Sequence, residues 1–127
     1  MGVSFTDREL DVMAVLWERG PSTVAEVRAA LEDELAYTTV LTVLRTLEEK
    51  ANVGHQEVGR AYRYHALVER ATAGRSALHR MLGKLFAGSP ELLLTQLVDE
   101  RGLDAEELSR MRALLDERLR HKEEDDA

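Results

Sequence analysis

The apolar residues of this chain change their spacing twice, and those changes limit the folds open to it more than any other feature. Through residue 50 they recur at three- and four-residue intervals, the mark of helices that each bury one stripe. Leu10, Met13, Leu16 and Trp17 follow Thr6 and Glu9, a capping box that opens a helix. "RGPST" stops it, and Thr23 with Glu26 repeats the capping box before a second stripe of Val24, Val27 and Leu31. A third stripe holds Val40, Val43, Leu44 and Leu47. In "VGHQEVGRAYRYHAL" the period drops to two, with Gly59 and Arg60 between two short runs, which predicts a β-hairpin. Alternation puts Tyr62 and Tyr64 on the packed face and Arg63 and His65 outward. From Glu69 onward helical spacing returns three times. One stripe carries Leu78, Met81, Leu82, Leu85 and Phe86, and the next, capped by Ser89 and Pro90, carries Leu93, Leu94, Leu97 and Val98. The last opens with Asp104 and Glu107 and carries Leu108, Met111, Leu115 and Leu119.

The third helix has an unusual outer face. "AYTTVLTVLRTLEEK" places Thr38, Thr42, Arg45 and Glu49 opposite the core stripe, with Thr39 and Thr46 beside them. Threonine is a mediocre helix former, so propensity does not select this face. No carboxylate stands between Glu34 and Glu48. Short hydroxyls, methyls and one guanidinium suit base edges and phosphates, whereas a helix–helix contact would explain the same residues more blandly.

Charge sharpens the choice. The 127 residues carry a net charge of −7, which at first argues against nucleic acid. The acids dominate up to Glu34, but over residues 35–66 Arg45, Lys50, Arg60 and Arg63 slightly outnumber Glu48, Glu49 and Glu57. A nucleic-acid surface here must be narrow, and the acidic remainder weakens non-specific binding. There is no cysteine, which excludes disulfide scaffolds and thiolate metal sites. The opening "MGVSFTDREL" has no basic segment followed by an apolar run, and no apolar stretch is long enough to span a bilayer, so a cytoplasmic address is expected. The four histidines show no metal-protease spacing, and no phosphate-binding glycine loop or nucleophile elbow appears. No catalytic residue, metal site or cofactor is expected.

Three helices followed by a hairpin is the order of a winged helix-turn-helix, in which the third helix enters the major groove and the hairpin lies along the backbone. The predicted fold is mainly α with a small β-hairpin. Residues 1–67 form the winged helix-turn-helix, 68–122 a three-helix dimerisation region and 123–127 a disordered acidic tail. Thr38, Thr39, Thr42, Arg45 and Thr46 are the expected base-reading residues, with Tyr37, Arg60 and Arg63 on the DNA backbone. Leu78, Leu82, Leu93, Leu94, Leu97, Val98, Leu108, Met111 and Leu115 are expected to bury their stripes against a second copy.

"LAYTTVLTVLRTLEEK" followed by "GRAYRYHAL" closely resembles the penicillinase-repressor family of bacterial regulators, which includes repressors of β-lactamase, methicillin-resistance and copper-homeostasis operons. "FTDRELDVMAVLWERGPSTVAEV" and "LVDERGLDAEELSRMRALLDE" extend the likeness over nearly the whole chain. The resemblance implies a homodimer that represses by occupying a palindromic operator on double-stranded DNA, with half-sites that often contain TACA and TGTA. It departs at Ala51 and Asn52, where the family tends to have glycine and then an apolar residue. The cysteine motif of the copper-responsive branch is missing, so the resemblance does not extend to copper sensing. Induction in the antibiotic-responsive branch is by cleavage at an Asn-Phe bond, and the matching position is Gln96 and Leu97, which leaves open an inducing protease or a small ligand as a further partner. Two alternatives stand beside this reading: a small-molecule-sensing winged-helix regulator, and a winged helix used only for protein contact.

Overall fold

A computed structural model describes residues 4–126. The elements run α1 (Asp7–Arg19), α2 (Val24–Ala30), α3 (Tyr37–Glu49), β1 (Val53–Val58), β2 (Ala61–Ala66), α4 (Arg70–Leu85), α5 (Pro90–Arg101) and α6 (Ala105–Asp126). The chain divides into two compact units, residues 1–80 and 81–127, with the division inside α4. The first unit is a winged helix-turn-helix: three helices around one core, closed by an antiparallel hairpin.

Both predicted capping boxes form. Thr6 and Thr23 accept from the amides of Glu9 and Glu26, and each glutamate reaches back to the amide of its threonine. The core collects Val12, Met13, Leu16, Val27, Val40, Leu44, Leu47, Val53 and Tyr64. In α1 the buried arc differs from the predicted stripe: Val12 and Val15 are inside and Leu10 is exposed, because α1 touches α2, α3 and β2 and so must bury a broad arc.

Two features fix how α3 ends and the wing begins. Ala51 adopts φ of +62°, and the amides of Ala51 and Asn52 donate to the carbonyls of Glu48 and Leu47. That is a Schellman closure with alanine where glycine is usual, and it turns the chain directly into β1. Second, Lys50 places its Nζ 2.9 and 2.8 Å from the two carboxylate oxygens of Glu9, joining the end of α3 to the start of α1. Glu9 is 4% exposed. Burial pushes its pKa up, but the Lys50 hydrogen bond, the Thr6 amide and the Lys50 charge outweigh this and hold it below the ordinary 4.5.

The hairpin register pairs Val53 with Ala66 and Val58 with Ala61, leaving Gly59 and Arg60 as a two-residue turn in which Gly59 takes φ of +65°. Ser22, in the α1–α2 turn, exchanges two backbone hydrogen bonds with Tyr64, at 2.9 and 2.8 Å, and so adds a short third edge to the sheet.

The start of α4 belongs to the first unit. Trp17 donates its indole N–H to the Val68 carbonyl at 2.9 Å, Arg70 pairs with Glu18 and lies over the Trp17 ring, and Ala73 is buried. The second unit has no such core: neither α5 nor α6 contains a buried residue. Residues 123–126, expected in a disordered tail, continue α6, where His121 stands one turn from both Glu117 and Glu124. Ala127 lies outside the described residues.

Two substitutions test these joints. Ala51→Gly is expected to raise stability by about 1 kcal/mol in chemical denaturation, since glycine carries no left-handed penalty. Lys50→Ala leaves a buried carboxylate without its counter-ion and is expected to cost about 1–3 kcal/mol at neutral pH. A depressed carboxylate pKa contributes stability that is present above 4.5 and lost as pH falls through the lower folded value. The gap in melting temperature between the two proteins should therefore narrow in acid.

Candidate nucleic-acid interface

Burial of Val40, Leu44 and Leu47 turns the opposite face of α3 to solvent. Tyr37, Thr38, Thr39, Thr42 and Arg45 are exposed there, and Thr46 is half-buried at its edge. The structure thus brings all the predicted base-reading residues onto one helix, with the centre of the face open. Ala36 offers no side-chain cap and the first turn holds no acid, so nothing neutralises the positive end of the helix dipole. Thr42 donates its hydroxyl to the Thr38 carbonyl at 2.9 Å, and Thr46 donates to the Thr42 carbonyl at 3.0 Å.

The wing stands beside α3 across an open groove of about 500 Å³, lined among others by Tyr37, Leu41, Arg45, Arg60, Tyr62 and Tyr64. Arg60 is exposed at the tip of the turn. Tyr64 is buried as expected, but Tyr62, on the same face, is 44% exposed because it lies nearer the turn, past the edge of the core. Its cross-strand neighbour Glu57 raises the Tyr62 pKa above the ordinary 10.0, through its hydrogen-bonding pull on the phenol and its charge. Burial raises that of Tyr64, while the nearby Arg45 opposes the rise at both tyrosines.

Arg63 departs from its predicted outward position. It is half-buried against α2, with a guanidinium nitrogen 3.1 Å from Glu26 and 3.4 Å from the Pro21 carbonyl. The Thr23 amide holds the Glu26 carboxyl below the ordinary range, and Arg63 and Arg19 reinforce this. Arg63 finds a ready anion there because the N-cap that starts α2 also orients Glu26.

Sequence reasoning passed over His55. Its Nδ1 bonds to Glu48 near the end of α3, and its ring centre lies 4.6 Å from that of Tyr62 and 5.5 Å from that of Tyr64. The cross-strand pairing of His55 with Tyr64, implied by the two-residue turn, is the signal that finds it. Through this histidine the wing is tied to the helix it flanks.

In the second unit and the α4 residues leading to it, Leu78, Leu94, Leu97, Leu108 and Leu115 are exposed, and Leu82, Leu93, Val98 and Met111 are half-buried. Leu92 and Leu114 are also exposed, though both lie off the stripes read from the sequence. Gln96 and Leu97 are both exposed on α5, so a protease would have to unwind helix to reach the bond between them. Among the described residues no group of histidines and carboxylates could hold a metal ion, and no helix is long and apolar enough to cross a membrane.

Comparison with known proteins gives a consistent pattern. A family model described as penicillinase repressor matches residues 5–117. The transcriptional regulator BlaI of Mycobacterium tuberculosis, in two strains, is 48% identical over 61 residues, 46% of this chain and 44% of the relative. The match thus spans less than half the length of those relatives. A MarR family protein from Bacillus stearothermophilus superposes with a TM-score of 0.53 at 19% identity, covering 97% of this chain and 77% of that one. A transcriptional regulator from Thermotoga maritima gives 0.50 at 19% identity, covering 94% and 78%. At this identity the likeness is one of fold.

The two faces of α3 should separate in thermal melts. Leu47→Ala is expected to destabilise by about 2–5 kcal/mol through the cavity it leaves. Thr42→Ala and Arg45→Ala are expected to stay within about 0.5 kcal/mol of the parent, as exposed substitutions do. Early melting of the latter two would make that face a packing surface.

Proposed function

Because the chain belongs to the penicillinase repressor family, we propose that it is a DNA-binding transcriptional repressor that occupies a palindromic operator as a homodimer. The observation that carries the reading is the outer face of α3, which holds no acid from Tyr37 through Thr46, set beside a wing whose tip bears Arg60. In this reading α3 enters the major groove, and Thr38, Thr39, Thr42, Arg45 and Thr46 meet base edges. Tyr37 at the start of α3 and Arg60 on the wing meet phosphates. Arg63 plays a different part from Arg60: it must leave Glu26 before it can reach DNA, so most of its effect is to hold the wing against α2.

The homodimer is supported by the second unit. Leu97, Leu108, Leu114, Leu115 and Leu119 are each at least 39% exposed, and α5 and α6 bury nothing of their own. Exposed leucine at this density on two helices suits a contact surface, and a second copy supplies a self-complementary one. Two-fold protein then matches two-fold DNA, with half-site centres about 34–36 Å apart. The transcriptional regulator BlaI shares nearly half the residues in the matched segment, which favours regulation of transcription over a winged helix that contacts only protein. The inducing partner is a protease or a small ligand, and for a protease Gln96 and Leu97 are the candidate cleavage position.

Sedimentation combined with operator titration tests this reading, starting from duplexes that contain TACA and TGTA. The expected result is a dimer at micromolar concentration that prefers inverted repeats. A monomer with no such preference would sink the reading. Within the complex, Arg60→Ala should lower the slope of log K against log salt by about 0.9, one phosphate contact. Arg63→Ala should change that slope less and the melting temperature more.

A further inference from the structure

A threonine can meet a base edge in three ways: as a hydrogen-bond donor, as an acceptor or through its γ-methyl group. The geometry of α3 separates them. Thr42 stands at the middle of the outward face and is exposed. Its single hydroxyl hydrogen is directed to the Thr38 carbonyl at 2.9 Å, and the Thr46 hydrogen goes likewise to the Thr42 carbonyl at 3.0 Å. Both donors are satisfied inside the helix. The same bond draws Oγ1 back toward the preceding turn, away from the tip of the side chain. What remains at the tip is the methyl group. Arg45, three residues on and also exposed, already supplies the hydrogen-bond donors for this part of the face.

Among the four bases only thymine presents a methyl group in the major groove. We propose that Thr42 is a specificity-determining residue that selects thymine by contact of its γ-methyl with the thymine 5-methyl. The inference rests on the reading that α3 enters the major groove, and it adds which base the centre of the helix selects and by what kind of contact. Such a contact needs no fixed hydrogen-bond angle and adds no charge, so it discriminates without raising affinity for DNA in general.

The test uses a duplex selected by the wild-type protein from a random-sequence library. Each thymine is replaced in turn by deoxyuridine, which removes only the 5-methyl group. The expected result is one thymine in each half-site at which the replacement weakens wild-type binding about four-fold, as expected for about 0.8 kcal/mol per buried methyl group. Thr42→Ser keeps the hydroxyl and loses the methyl, and it should bind the thymine and deoxyuridine duplexes equally. Thr42→Val keeps a methyl and loses the hydroxyl, and it should retain the discrimination. Thermal melts show that each variant is folded, and the serine variant decides the question even if the valine variant is not. Discrimination that survives in Thr42→Ser, or a wild-type protein indifferent to every replacement, overturns the inference. So does a folded Thr42→Val that no longer binds, since the hydroxyl would then be the reading group. A wild-type protein that retains no duplex at all would instead overturn the reading of the chain as a DNA-binding protein.

Discussion

Tyr64 holds the first unit together. Its ring lies in the core formed by the three helices, while its backbone exchanges two hydrogen bonds with Ser22 in the α1–α2 turn. Its cross-strand neighbour His55 reaches Glu48 on α3, and its chain neighbour Arg63 reaches Glu26 on α2. This strand position and its two neighbours thus tie the wing to the α1–α2 turn, α2 and α3. A hairpin of two strands is marginal alone in water. Here it is anchored because Val53 and Tyr64 are part of the core, while the strand ends near the turn, with Val58, Arg60 and Tyr62, project into solvent.

The second unit obeys the opposite rule. In the first unit a leucine such as Leu44 or Leu47 is wholly enclosed, whereas in the second Leu114, Leu115 and Leu119 are about half exposed or more. Burying one such side chain is worth about 1.5–3 kcal/mol. A helix set that leaves several of them in water forgoes much of the stabilisation a domain of its size needs. In the proposed homodimer folding and association are coupled in that unit, so anything that opens the contact weakens the helices as well as the pairing.

The first unit was largely legible in the sequence because its signals are local. The capping boxes, the i, i+3, i+4 stripe of α3 and the two-residue turn each act over a few residues, and each formed where its pattern lay. What the sequence hid depends on distant partners. Arg63 alternates outward by period, but Glu26 lies 37 positions earlier and captures it. Tyr62 and Tyr64 are equivalent by alternation, and only the edge of the core distinguishes them. Alanine itself does not signal a left-handed residue at position 51, since it seldom adopts that conformation; the closure of α3 imposes it. The acidic end of α6 read as a tail by composition, yet its preceding His121 lies in helical register with Glu117 and Glu124. The composition of the α3 face suggested base reading, but the direction of each threonine hydroxyl was beyond any sequence pattern.

An acidic protein that binds DNA must keep its attraction local. Here two of the acids near the interface are themselves occupied, Glu48 by His55 and Glu26 by Arg63. Each pairing limits the repulsion a free carboxylate would exert on phosphate at close range, while the net charge of −7 still opposes indiscriminate binding at a distance. Cations near the interface are shared out in the same way, with Lys50 and Arg63 engaged internally and Arg45 and Arg60 exposed on α3 and the wing. In the proposed complex few charges face DNA, so non-specific affinity stays low and discrimination falls to uncharged contacts on α3. A face of threonines around one arginine meets that requirement, because methyl groups and tied hydroxyls distinguish bases without adding to the attraction that every sequence shares.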